Sequence, residues 1–376
     1  MTSAYLVLED GTVFSGQAFG AVAEASGEVV FSTSMTGYQE ALTDPSFAGQ
    51  ILTMTYPLQG NYGVNQFDVE SARVQVRGFI VREACDLPSH WRLPASQAED
   101  KGTLHRYLAD AGIPAIEGID TRALTRKIRS AGVMMGIITN DDPARSASGH
   151  NQRNALARLH AAPRYDGSDF VREVSATEPH TWPHENSPKH HIAVLDLGVK
   201  HNILRILSGL GCKVTVLPYR TTADDILALQ PDGVVLSPGP GDPALLGSAV
   251  DTVNGLLGRL PIFGICLGHQ VLARACGAST YKLKFGHRGA NHPVRDEATG
   301  RVSITAQNHG YAVDPDGLSS NIEVSHVHLN DGTCEGLRHR ELPAFTIQYH
   351  SEASPGPQDN RYLFERFLEL VEEAAK

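Results

Sequence analysis

The chain reads as an α/β protein of two domains: an N-terminal mixed α/β domain, and a C-terminal domain whose largely parallel sheet is covered by helices. Three observations predict this. At 376 residues the chain is longer than one core usually organises. Midway, three prolines fall within Pro179-His180-Thr181-Trp182-Pro183-His184-Glu185-Asn186-Ser187-Pro188, as in a connector. Beyond it, short, almost uninterrupted apolar runs alternate with helical patterns, as parallel strands buried on both faces require. The domains are drawn at 1–150 and 190–376, with 151–189 connecting them.

In the first domain, Leu6-Val7-Leu8 and Thr12-Val13-Phe14 flank Asp10-Gly11 and predict a hairpin. Residues 28–31 predict a strand. The polar stretch 33–46 reads as turns outside the core. A strand is expected over 51–56, ended by Pro57, and a central one over the apolar, β-branched 74–81. Helices are expected over 102–111, stopped by Gly112, and over the basic 121–128, with a strand over 134–139. In the second domain strands are expected over 192–195, 213–217, 233–236 and 262–265. Helices are expected over 202–210, 223–229 and 244–260. Past Thr280 the pattern turns antiparallel, at 302–305, 323–325 and 345–348. A last helix, 361–375, buries Leu363, Phe364, Phe367, Leu368 and Val371.

Composition excludes several classes. Net charge is −10 and the pI about 5.9, the wrong sign for binding nucleic acid or an anionic membrane. Five widely spaced cysteines point to a reducing compartment and not to a disulfide scaffold. An acid interrupts the apolar start, Ala4-Tyr5-Leu6-Val7-Leu8-Glu9-Asp10, where a signal peptide would continue, and no run approaches the ~18 apolar residues of a span. A cytoplasmic protein is expected.

The chemistry centres on Ile262-Phe263-Gly264-Ile265-Cys266-Leu267-Gly268-His269-Gln270. A buried strand stops at Cys266 and a helix follows. At that turn the unpaired N–H groups and the helix dipole stabilise a thiolate. Gly264 and Gly268 leave room for a sharp turn, the cysteine counterpart of a Gly-x-Ser-x-Gly elbow. An inert buried cysteine is the alternative. In a parallel sheet, ligands bind beyond the C-terminal strand ends, so the loops after Leu195, Leu236 and Ile265 matter. The second of these, Ser237-Pro238-Gly239-Pro240-Gly241-Asp242-Pro243, can bring backbone N–H groups to an oxyanion or a carboxylate. It lacks the Gly-Lys-Ser/Thr ending of a phosphate loop. A thiolate that attacks a carbonyl needs a histidine, and the histidine an orienting group. Of 17 histidines, His350 ends a strand, with Glu352 two residues on and on the same side if the chain stays extended. His190-His191, His287 with His292, and His326 with His328 lack the company of a zinc motif, so no metal is expected.

These motifs, with His350-Ser351-Glu352, resemble those of class I glutamine amidotransferases. Asp196 to Arg205, Phe285 to Pro293 and Gln307 to Val313 are similar to the small subunits of carbamoyl phosphate synthetases. So are Met35 to Ser46 and Tyr56 to Val64, which other amidotransferases lack. The resemblance covers nearly the whole chain. It implies a C-terminal class I glutamine amidotransferase domain with Cys266 as nucleophile, His350 as base and acid, and Glu352 as orienting group. The amides of Leu267 and Gly241 would form the oxyanion hole. Glutamine would be held by Ser46, Gly239, Gly241, Leu267, Gln270, Asn308, Gly310 and Tyr311. The implied reaction is hydrolysis of L-glutamine to glutamate and ammonia. A large-subunit partner would use the ammonia, with bicarbonate and ATP, to make carbamoyl phosphate for arginine and pyrimidine biosynthesis. No cofactor is expected in this chain; ATP and a divalent metal are expected in the large subunit. The family often has proline at Ser351 and phenylalanine at Tyr311; neither change removes a catalytic group. An amidotransferase for another synthase, such as anthranilate synthase, fits the N-terminal domain poorly. A peptidase or γ-glutamyl hydrolase would cleave peptides, and a scaffold with a dead site would not need all three triad groups.

Overall fold

The computed structural model describes residues 2–89, 102–143, 150–184 and 187–376, and the chain divides into two units, Met1–Ser168 and Asp169–Lys376. Residues 185 and 186 of the proline-rich stretch lie outside the described residues.

The first unit is a closed barrel of seven strands. The Asp10-Gly11 hairpin forms as expected, with Leu6 opposite Phe14 and Val7 opposite Val13. Strand Ala25–Ser32 pairs in parallel with Gln50–Met54, and Gln50–Met54 with Gly78–Ile80. The strand expected over 74–81 is thus only three residues long. Pro114–Glu117, which opens on a proline, completes the barrel between Val13–Gly20 and Gly78–Ile80 and was not anticipated. Met134–Thr139 closes the barrel against Ser3–Leu8 and Ala25–Ser32. The polar stretch 33–46 corrects the sequence reading most. It holds a short helix, Tyr38–Thr43, and a 3-10 turn, Pro45–Phe47, and Tyr38, Ala41, Leu42 and Phe47 belong to the core. Its polar groups are buried because they are satisfied. Tyr38 stacks on Tyr62 at 4.3 Å and donates its hydroxyl to Gly63 O at 2.6 Å, while the Tyr62 hydroxyl accepts the Gly37 N–H. Gln39 makes two bonds to the Asn65 backbone. The two N-terminal motifs, 35–46 and 56–64, are therefore halves of one packed feature.

The stretch 151–189 is divided between the units. Helix His150–Ala161 is tied to the barrel through Gln152 and Gly11 O, and through Arg158 paired with Glu24 at 2.7 Å. In the second unit, His180–Thr181 adds an antiparallel edge to Cys212–Pro218.

The second unit carries one ten-stranded sheet. Its parallel part runs Cys212–Pro218, His190–Asp196, Gly233–Leu236, Ile262–Ile265, Ala344–Ile347. Alternation along each strand feeds two cores. Ile192, Val194, Val214, Val235, Phe263 and Ile265 face one side, with helices His201–Gly209 and Tyr362–Ala374. Ala193, Leu195, Val234, Leu236 and Ile262 face the other, with Gly247–Leu256 and Leu267–Ala275. Phe263 touches Phe345, Phe364 and Phe367, so the central strand and the last helix share one aromatic cluster. Two expectations change. Ala344–Ile347 is antiparallel only to Cys334–His339; against Ile262–Ile265 it is parallel. The helix expected over 244–260 is a 3-10 turn, Pro243–Leu245, followed by Gly247–Leu256. The antiparallel wing also contains Ser279–Asp296, an irregular strand with two register shifts, which the sequence did not reveal.

Candidate active site

Cys266 joins strand Ile262–Ile265 to helix Leu267–Ala275. Its backbone is in a strained region, φ 53°, ψ −103°, held by the Cys266 N–H donating to Ile347 O at 2.8 Å and the Gln270 N–H donating to Cys266 O at 3.2 Å. The side chain is 2% exposed. Gly268 donates its N–H to Ser237 O at 3.1 Å, which draws the elbow onto the glycine loop. Leu267, the first helical residue, has no preceding turn to accept its N–H. Ser237 in turn accepts the Leu197 N–H on its hydroxyl at 2.9 Å. At Gly239 a Cβ would lie 2.0 Å from Leu197 O and 2.9 Å from Leu267 Cδ2. The loops after the strands at Asp196, Leu236 and Ile265 therefore pack into one cluster at the C-terminal edge of the sheet.

Strand Ala344–Ile347 lies beside Ile262–Ile265, with Ile347 opposite Ile265, so the chain leaves the two strands side by side into Cys266 and into Gln348 to His350. His350 is fixed by its N–H to Ala306 O at 2.9 Å, and its Nδ1 lies 2.6 Å from Glu352 Oε1. The chain does not stay extended there: Ser351 and Glu352 form a buried turn, and the turn, not strand alternation, returns the carboxylate to the ring. Burial alone would strip the ring of its proton. The Glu352 carboxylate and then Cys266 outweigh it and hold His350 up at about 10. Burial alone would likewise protonate Glu352, but the Lys200 ammonium and then His350 hold it down to about 2.

Lys200 and Gln348 were missed as site residues. Lys200 is 2% exposed, and its Nζ lies 3.0 Å from Glu352 Oε1 and donates to Ala353 O. Asp196 shapes the loop that delivers Lys200 by accepting the Gly198 and Val199 N–H groups. Gln348, fully buried, accepts from Gln270 Nε2 at 2.9 Å and directs its own Nε2 at Cys266 Sγ, 3.6 Å away. Gln270 also donates to Tyr311 O at 2.8 Å, and the Cys266 thiol faces Asn308 O at 3.7 Å. Cys266, directly followed by Leu267, thus belongs to one buried network with Gln270, Gln348, Asn308 and Tyr311. Gly310 lies on the same strand, and Gly239 and Gly241, the latter at φ 90°, belong to the loop that packs on the elbow. Ser46 lies in the first unit, buried in the 3-10 turn, with its N–H held by Asp44 and its hydroxyl without a partner.

The Lys200–Glu352 pair gives a stability prediction. Removing one member of a buried ion pair costs about 3–5 kcal/mol, so Lys200→Met should lower the urea midpoint strongly at pH 7. A depressed carboxyl contributes stability above its unfolded pKa, 4.5, and loses it as pH falls through its folded value, about 2. The difference between wild type and variant should be complete above pH 4.5 and fade towards pH 2. A difference that is independent of pH would mean that Lys200 acts through packing alone.

Two family models match the chain: "Glutamine amidotransferase class-I" over residues 193–370, and "Carbamoyl-phosphate synthase small chain, CPSase domain" over residues 6–138. The carbamoyl phosphate synthase small chain of Syntrophotalea carbinolica is 51% identical, over 98% of this chain and 98% of its own length. That of Symbiobacterium thermophilum is 53% identical, also over 98% of each. The pyrimidine-specific small chain of Bacillus subtilis is 50% identical, over 99% of this chain and 96% of its own. No helix among the described residues is long and apolar enough to cross a membrane.

Proposed function

Because the chain belongs to the carbamoyl phosphate synthase small-chain family and is its glutamine-hydrolysing subunit, we propose that it works through Cys266, His350 and Glu352. The observation that carries this is the juxtaposition of a strained cysteine elbow with the neighbouring strand end that bears His350, whose Nδ1 is 2.6 Å from Glu352. The His350 ring, held up at about 10, is the proton donor beside the sulfur. The thiolate attacks the side-chain carboxamide carbon of glutamine. The tetrahedral oxyanion is met by the amides of Leu267 and Gly241. His350 protonates the leaving nitrogen, ammonia departs, and a γ-glutamyl thioester remains. Water, deprotonated by His350, then attacks the thioester, releasing glutamate and returning the thiolate and the protonated ring. Gly239, Gln270, Asn308, Gly310 and Tyr311 hold the substrate. The glutaminase step draws on no cofactor. The ammonia passes to a large subunit, which holds ATP and a divalent metal and makes carbamoyl phosphate for arginine and pyrimidine synthesis in the cytoplasm.

Release of glutamate from free L-glutamine, without cleavage of peptides, tests the activity; co-purification with a large ATP-dependent chain tests the partnership. Gln348 provides a finer check. Its amide donates towards the sulfur, and a hydrogen bond to a charged group contributes about 1.5–3 kcal/mol. Gln348→Leu should therefore lower kcat for glutamine about tenfold or more, with a smaller change in KM. An unchanged kcat would show that the thiolate does not depend on this contact.

A further inference from the structure

His287, His309 and Glu335 stand on three different strands of the antiparallel wing, Ser279–Asp296, Val302–Asp314 and Cys334–His339. All three are buried, and one ligand atom from each lies within 4.8 Å of the other two. Glu335 Oε1 is 3.7 Å from His287 Nδ1 and 3.9 Å from His309 Nε2. These gaps are too long for hydrogen bonds. His287 Nδ1 and Glu335 Oε1 have no partner, although Glu335 is 0% exposed. A buried carboxylate oxygen left in this way is costly unless a cation meets it.

The outer atom of each of the same three side chains has a partner, and two of the three inner atoms, His287 Nδ1 and Glu335 Oε1, have none. His287 Nε2 lies 2.8 Å from Asp331 Oδ2, which fixes a proton on Nε2 and leaves the Nδ1 lone pair facing inward. His309 Nδ1 lies 2.7 Å from Tyr311 O and its Nε2 lies 3.0 Å from Gln307 Oε1, a contact that an ion would have to replace. Glu335 Oε2 accepts from Gln307 Nε2 at 2.8 Å. A carboxylate or carbonyl behind each imidazole and an amide behind the carboxylate is the outer shell that metal ligands require.

We propose that His287 Nδ1, His309 Nε2 and Glu335 Oε1 bind one zinc ion, which staples the three strands together. Two imidazoles and a carboxylate are a zinc donor set and not a calcium or magnesium one. Bonds of 2.0–2.2 Å place neighbouring tetrahedral ligands about 3.3 Å apart, so the gaps from Glu335 Oε1 to the two imidazoles, 3.7 and 3.9 Å, have about half an ångström to close. The neighbouring trio His287, His292 and His328 does not qualify in the same way. His328 Nδ1 accepts the Asn330 N–H, which puts the ring proton on Nε2, and that nitrogen is already bonded to His292 Nδ1 at 3.0 Å. The zinc would be structural. It would sit behind the strand that carries Asn308, Gly310 and Tyr311, and the assignment does not depend on the glutaminase mechanism. No zinc motif is legible because the ligands are 22 and 26 residues apart and on separate strands.

The test is metal binding by the full chain, stripped with a chelator and titrated with cobalt(II) as a spectroscopic stand-in, then with zinc. Wild type should take up about one ion per chain with the visible bands of a tetrahedral site, and zinc should displace the cobalt and raise Tm. Asp331→Asn should weaken the affinity about 10–100-fold. Glu335→Gln should lose the bands, and His292→Asn, which alters only the neighbouring trio, should keep them. Absence of tetrahedral bands in wild type, with Tm indifferent to zinc and chelator, would overturn the proposal and leave a protonated His287 bridging Asp331 and Glu335. Loss of the bands in His292→Asn with retention in Glu335→Gln would overturn the ligand assignment.

Discussion

Cys266→Ser should abolish glutamine-dependent synthesis of carbamoyl phosphate while leaving ammonia-dependent synthesis close to the wild-type rate. The side chain keeps its shape, and the elbow is held by backbone bonds to Ile347 O and from Gln270 N–H, neither of which uses the sulfur. The hydroxyl ionises far less readily than a thiol, so the thioester does not form. Removing a nucleophile that acts as a unit with its base should cost about three orders of magnitude or more in glutaminase kcat. The measurement is carbamoyl phosphate formation with each nitrogen source, at equal concentrations of this chain and the large subunit. Loss of both activities would give Cys266 a structural role or one in the synthase reaction. Retained glutamine dependence would remove it from the chemistry.

Gly268→Ala should damage stability and glutaminase activity together. A Cβ at this position would lie 2.2 Å from Leu236 O and 2.6 Å from Leu236 Cβ. The first of these atoms is backbone in a fully buried strand and cannot move aside. The helix that carries Leu267 and Gln270 must shift instead, and the Gly268 N–H bond to Ser237 O goes with it. Overpacking of this kind costs about 1–3 kcal/mol or more. Displacing oxyanion donors costs about 100-fold or more in kcat. Gly247 provides the control. It opens helix Gly247–Leu256, and a Cβ there meets nothing within 4 Å. Gly247→Ala should be neutral or stabilising by up to about 1 kcal/mol. Equal urea midpoints for the two variants would show that the elbow tolerates a side chain.

What was legible in the sequence followed from local rules. Gly233–Leu236, Ile262–Ile265 and Met134–Thr139 are short apolar runs with clear ends, and they form as read. Cys266 and His350 were visible because each follows such a run. What was illegible depended on partners far away in the chain. Lys200 reads as a surface cation until Glu352, 152 residues on, gives it a reason to be buried. Gln348 reads as the polar end of a strand until Gln270 and Cys266 meet it. The stretch 33–46 looked like exposed turns because its polarity is conspicuous and the groups that satisfy it, at Tyr62, Gly63 and Asn65, belong to the next segment. Strand Ser279–Asp296 was hidden by its own irregularity. Register shifts break its alternation, and its buried residues include His287 and Arg288, which no hydropathy pattern selects.

Trapping the covalent intermediate tests the central claim most directly. The chain is mixed with L-glutamine, quenched in acid during turnover, digested and analysed by mass spectrometry. One glutamyl group on the peptide that contains Cys266, removable by hydroxylamine and absent in Cys266→Ser, is the predicted result. Turnover of glutamine with no adduct on that peptide, or with the adduct on another residue, would contradict it.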